Sequence, residues 1–154
     1  MNPKVKWFLI GAIVAGTLDI TYATTFSYLR SGVSPTRVLQ FVASGALGPS
    51  AFQGGAATAA AGLGFHYLNA FLITAAFFAV VSLIPALARR PFVVGPLYGI
   101  LVYVVMNYIV VPYSRIGPRP TRPLAVAVPE ILVHMFVIGL TIALAARAAF
   151  TQPR

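Results

Sequence analysis

Four ionisable side chains interrupt long apolar stretches of this chain, which contains only two acidic residues and two histidines. They are Asp19, His66, Glu130 and His134. An acidic side chain at the centre of a membrane helix costs roughly 2.5 to 3.5 kcal/mol on insertion scales, so such residues mark functional positions. Histidine titrates near neutral pH, and a buried carboxylate beside it can relay a proton. We therefore expect a polar site that handles protons or a small ion.

Helical spacing gives each of these residues a polar neighbour on the same helix face, three or four positions away. The pairs are Asp19 with Tyr22, His66 with Asn69, Tyr103 with Asn107, and Glu130 with His134. Counted from the helix ends that face the connections at Arg30 and Arg115, these groups lie roughly 10 to 15 Å deep at about 1.5 Å per residue. The predicted ion or proton site therefore consists of Asp19, Tyr22, His66, Tyr103, Asn107, Glu130 and His134.

Two other interpretations of the same residues stay open. His66, Glu130 and His134 offer nitrogen and oxygen ligands suited to zinc or iron, and the two histidines together could ligate a haem. With no cysteine in the chain, a thiolate site is excluded. Alternatively, the polar layer fixes helix register in an accessory or lipid-binding subunit of a larger membrane complex. No catalytic pattern stands out, so the sequence favours a non-enzymatic role.

The composition identifies the class of protein to which this chain belongs. Of 154 residues, 59% are hydrophobic and only 8% are charged, and the mean hydropathy is +0.88. Long apolar runs at this low charge are typical of a polytopic all-α membrane protein, predicted here as one integral membrane domain over residues 1–154. Apolar runs long enough to cross a bilayer lie at about 7–29, 64–88, 92–113 and 124–147. The Ala- and Gly-rich residues 56–64 would allow the second span to begin a turn or two earlier.

A further short helix is predicted between the first two spans. Ser34-Pro35 is a helix start, Gly48-Pro49 is a stop, and the residues between them, 35–47, carry no charge after Arg37. This segment should lie in the membrane interface or enter the membrane as a re-entrant helix. A buried bracing helix with no role in the site is the alternative.

The net charge of +9 comes from basic residues that flank the apolar runs, which argues for membrane topology and against nucleic-acid binding. With cytoplasmic termini, six Lys and Arg residues lie inside and five outside, a small preference for that orientation. In the connection between the last two spans, Arg115, Arg119 and Arg122 are candidates for contact with anionic lipid headgroups. An ordinary stiff turn with snorkelling arginines is the alternative.

Spaced residues between positions 66 and 134 carry a family resemblance. They are His66 with Pro85, Gly95 with Gly99, Asn107 with Pro112, and Glu130-Ile131-x-x-His134. In this pattern the chain resembles the YagU family of small bacterial inner-membrane proteins. The resemblance implies a place in the bacterial inner (cytoplasmic) membrane and a link to acid tolerance. Where the family carries a third histidine this chain has Asn107, which is a poorer metal ligand and no proton acceptor.

The small size of the predicted bundle bears on its partners. Small residues at four-residue spacing, such as Gly95 with Gly99, allow membrane helices to approach closely. Because one short bundle makes a thin conduit, we expect a homo-oligomer or a larger membrane complex in the lipid bilayer.

Overall fold

The computed structural model describes residues 1–120 and 122–151, and its regular structure there is entirely helical. Four long helices are long and apolar enough to cross a membrane, and one short helix follows the first of them. The helices are α1 (Pro3–Ser31), α2 (Pro35–Leu47), α3 (Gly55–Leu83), α4 (Pro91–Tyr113) and α5 (Leu124–Phe150). The predicted all-α fold with four spans and one extra helix is confirmed, and the chain is a multi-pass membrane protein.

The second span differs most from its predicted bounds. α3 begins at Gly55 instead of residue 64, because the small residues at its start form a regular helix despite their modest hydropathy. It ends at Leu83 instead of residue 88. Pro85 opens a separate 3-10 helix, Pro85–Arg89, since a proline cannot continue the hydrogen-bond ladder of an α-helix. Most residues of this 3-10 helix are apolar, which is why hydropathy alone extends the predicted span to residue 88.

The short helix α2 has the predicted bounds, which are set by the residues that flank it, Ser34 and Gly48. The Ser34 side chain accepts a hydrogen bond from the Arg37 backbone N–H, which caps the N-terminus. Gly48 follows the last residue with a φ of +73° and a ψ of −163°, a conformation that glycine adopts readily and that ends the helix. α2 packs directly on α3, since a Cβ placed on Gly62 would overlap the Leu39 carbonyl. It is therefore a packed part of the bundle.

Close backbone contact also joins the last two helices. A Cβ on Gly99 of α4 would overlap the His134 carbonyl of α5, and one on Gly139 would overlap the Gly95 carbonyl. Small residues at a membrane helix interface allow such an approach. α1 packs against α3 and α5, while α4 packs mainly against α5. Tyr98 of α4 reaches α3, where its hydroxyl donates to the Ile73 carbonyl at 2.5 Å.

The two halves of the bundle differ in polarity. Near the Lys4 and Arg89 end, buried apolar side chains of α3 and α5 fill the interior, with Trp7 and Phe8 packed against them. Buried members of this core include Phe77, Phe78, Val81, Ile138, Ile142 and Ala146. The other half, toward the Arg30 and Arg115 connections, contains the ionisable residues.

Candidate functional site

A cavity of about 410 Å³ lies in the polar half of the bundle, lined by all five helices and by the connection before α5. Six of the seven predicted site residues line it: Asp19, Tyr22, His66, Asn107, Glu130 and His134. The seventh, Tyr103, is buried behind the wall, with its ring edge-on to the His134 ring at 5.3 Å between centroids. The structure thus brings together side chains that are as many as 115 positions apart in the sequence, Asp19 and His134.

His66 links two helices through one ring nitrogen. Its Nε2 lies 2.7 Å from the Gly16 carbonyl of α1. Because a carbonyl oxygen can only accept, Nε2 carries the proton and donates it to this bond. In the neutral ring, Nδ1 is then the unprotonated nitrogen that can take up a second proton.

His134 is oriented in the complementary way, by its own helix. Its Nδ1 donates to the Glu130 carbonyl at 2.8 Å, one helical turn earlier. By the same argument, Nε2 is the free acceptor of the neutral ring. The two imidazoles therefore present opposite nitrogens for protonation, each held in place by a backbone oxygen.

Asp19 and Tyr22 are the polar residues of α1 at the cavity. The Asp19 carboxyl lies within electrostatic range of both His134 and His66. It accepts no hydrogen bond and forms no ion pair with any residue of the described ranges. The Tyr22 hydroxyl is buried without a hydrogen-bond partner there, and its ring stacks on Phe26 at 5.3 Å. Unpaired polar groups at this depth are costly, which is typical of a functional site.

Glu130 is paired instead. Its carboxylate forms an ion pair with Arg122, and the two side chains are 22% and 23% exposed. Asn107 is held between two groups: its Nδ2 donates to the Tyr103 carbonyl at 3.0 Å, and its Oδ1 accepts from Arg119 at 3.4 Å. The carboxylate and the amide thus anchor the arginine-rich connection to α4 and α5.

The three arginines of that connection have different surroundings. Arg119 and Arg122 turn inward and line the cavity, and burial, together with the nearby Arg122 charge, lowers the pKa of the Arg119 guanidinium. Arg115 is exposed and holds α2: its backbone N–H donates to the Gly45 carbonyl at 2.9 Å, and its guanidinium donates to Ala46. Contact of these arginines with lipid headgroups stays a prediction.

The cavity is also lined by apolar side chains that the sequence analysis did not include in the site. Phe26 of α1 and Val38, Phe41 and Val42 of α2 line the cavity beside the ionisable groups. Their spacing in α2, three and four positions apart, places them on one helix face, and that signal was present in the sequence. α2 therefore has a role in the site, as one wall of the cavity.

Four of the residues that line the cavity lie in π-helical turns. Met106–Val110 in α4 contains Met106 and Asn107, and His134–Gly139 in α5 contains His134 and Ile138. Such turns are rare and are frequently found at functional sites. They change the direction in which the following side chains point, so a simple α-helical count does not describe this part of the wall.

The metal alternative finds no support in this geometry, and haem ligation by the two histidines stays a prediction. Within residues 1–120 and 122–151, no three His, Asp or Glu side chains come together in a way that could hold a metal ion. Glu130, one of the three ligands that the sequence offered, forms an ion pair with Arg122.

Comparison with family models, with curated proteins and with solved structures returned no match to this chain. The resemblance to the YagU family stays a prediction.

Proposed function

We propose that this chain binds and releases protons at the cavity, in a pH-linked role within the bacterial inner membrane. The observation that carries the proposal is the meeting of Asp19, His66 and His134, from three helices, at one cavity. Imidazole and carboxyl groups are the side chains that exchange protons most readily near neutral pH once burial and neighbouring charges act on them.

The hydrogen bonds at the site favour reversible protonation. His66 Nδ1 and His134 Nε2 can each accept a proton while the bonds to the Gly16 and Glu130 carbonyls stay in place. Asp19 has no partner that must be released first. Proton uptake at any of the three groups therefore needs no rearrangement of a helix.

The charges around the three groups set the balance between them. Tyr22 on α1 and Glu130 on α5 lie at the same cavity, and the connection adds Arg119 and Arg122. Because Arg122 is paired with Glu130, Arg119 is the cation that acts on the site with the least compensation. A proton leaving a histidine can be held by Asp19, which keeps the charge in the cavity nearly constant.

The apolar half of the bundle favours proton binding over conduction through the protein. Ala15 and Ile138 line the cavity and also belong to the apolar core beyond it. The described residues of that core are apolar and offer water and ions no chain of polar groups, so exchange takes place at the end near the Arg30 and Arg115 connections. With cytoplasmic termini, that end faces the periplasm.

Infrared difference spectroscopy during a pH titration of the purified protein tests this proposal. We expect a carboxylic acid C=O band that disappears as the pH rises, because Asp19 changes from its neutral to its charged form. Asp19→Asn should remove this band, whereas Glu130→Gln should leave it. A pH-dependent band that persists in Asp19→Asn, or no such band in the unmodified protein, would contradict the proposal.

A further inference from the structure

A second feature of the cavity is the Arg119 guanidinium. Among the described residues it makes one hydrogen bond, to the neutral Asn107 amide at 3.4 Å, and it lies over the Phe41 ring at 5.2 Å. In the described ranges no carboxylate pairs with it, since Glu130 is taken by Arg122 and Asp19 forms no ion pair. A guanidinium has five N–H donors in a planar fork that suits a carboxylate, and most of those of Arg119 are unused.

The same cavity has an apolar wall next to that cation. Ala23 and Phe26 of α1 and Val38 and Val42 of α2 line it. On α1 the lining runs from Ala15 to Ser27, a rise of about 18 Å at 1.5 Å per residue. The cavity of about 410 Å³ is therefore an elongated slot, long enough for an extended chain of carbon atoms. Its size is at the lower end for small-molecule pockets.

We infer that the cavity binds a short-chain aliphatic monocarboxylate. The carboxylate pairs with the Arg119 guanidinium, and the aliphatic part lies against the apolar wall of α1 and α2. The charge complements the cation that lacks a partner, and the slot accepts an extended chain. This ligand would occupy the cavity of the proposed function, but its binding depends on Arg119 and not on proton exchange at Asp19.

Isothermal titration calorimetry with hexanoate, on detergent-purified full-length protein and with a detergent blank, tests the inference. We expect one saturable site per chain for hexanoate and no saturable heat for its neutral isostere hexanamide. Arg119→Gln should weaken binding about tenfold or more, because a hydrogen-bonded charge pair is lost. The matched control Arg115→Gln, in the same connection but outside the cavity lining, should change the affinity by less than about twofold.

Several results would overturn the inference. They are the absence of saturable hexanoate binding, equal affinity for inorganic phosphate or hexanamide, and unchanged affinity in Arg119→Gln. Should that variant fail to fold, Ala23→Phe provides a second test, because it fills the slot while keeping Arg119; retained binding there would also contradict the inference. Asp19→Asn should still bind hexanoate, so failure of the proton proposal can be told apart from failure of this one.

Discussion

The side chains at the cavity fall into two groups, those that are paired and those that are not. Glu130 and Arg122 form an ion pair that is only partly exposed, whereas Asp19 and the Tyr22 hydroxyl have no hydrogen-bond partner in the described residues. Paired groups hold the connection against the bundle, and unpaired groups are free to exchange protons. The sequence predicted Asp19, Tyr22 and Glu130 as residues of one polar site and Arg122 as a candidate for lipid contact, but it could not assign these separate roles.

The ion pair should contribute measurably to stability. Breaking a buried pair costs 3 to 5 kcal/mol and an exposed one about 0 to 1, so Glu130→Gln or Arg122→Gln alone should lower the free energy of unfolding by about 1 to 3 kcal/mol. The double variant should lose less than the sum of the two, because neither residue is then left unpaired. Thermal or denaturant unfolding in detergent measures all three variants. Strictly additive losses would show that the two side chains do not interact.

The directions in which the three arginines of the connection point could not be predicted from the sequence. Arg115, Arg119 and Arg122 lie in one basic, proline-rich connection, and nothing in their spacing separates them. In the folded chain one braces α2 and two enter the cavity, because the path of the connection over the bundle decides which way each points. That path is set by tertiary contacts such as the bond from Arg115 to Gly45.

The helices position the site through close packing and local distortion. Hydropathy predicted the four spans, and the proline and glycine signals predicted the bounds of α2, because both depend on local chemistry. The sequence allowed an earlier start of α3 without locating it at Gly55, since small residues give a weak hydropathy signal. The two π-helical stretches were not predictable, since π turns have no sequence pattern of their own. Counting residues from the helix ends nevertheless predicted that the ionisable side chains lie at a similar depth. An error of one turn in a helix end changes the depth of a residue by only about 5 Å.

The close contact of α4 and α5 at Gly99 should contribute to the stability of the bundle. Gly99→Ala should lower the free energy of unfolding by about 1 to 3 kcal/mol, because the added Cβ overlaps the His134 carbonyl and forces the helices apart. Gly64→Ala on α3 is the matched control: its Cβ would meet no atom within 4 Å, so it should be neutral or stabilise by up to about 1 kcal/mol. Unfolding curves of the two variants make the comparison. Equal stability of both would mean that α4 and α5 do not meet at Gly99.

The bundle as a whole has an apolar core at one end and a polar cavity at the other. This division was visible in the sequence, where the residues near Lys4 and Arg89 are apolar and the ionisable groups lie in one layer. The cavity itself was not, because its volume depends on how the five helices and the connection pack together. If protons exchange at the cavity, Asp19 must face a polar interior reached by water, while Leu18, the residue before it on α1, faces lipid.

Cysteine accessibility measures this requirement, and the chain contains no native cysteine to interfere. Asp19→Cys and Leu18→Cys lie at the same depth, but Asp19 lines the cavity while Leu18 is 46% exposed on the outer surface of the bundle. A small water-soluble methanethiosulfonate reagent attacks thiolates, which form only where water is present. We predict rapid modification of Asp19→Cys and slow modification of Leu18→Cys in lipid vesicles. Equal rates, or faster reaction of Leu18→Cys, would contradict the account.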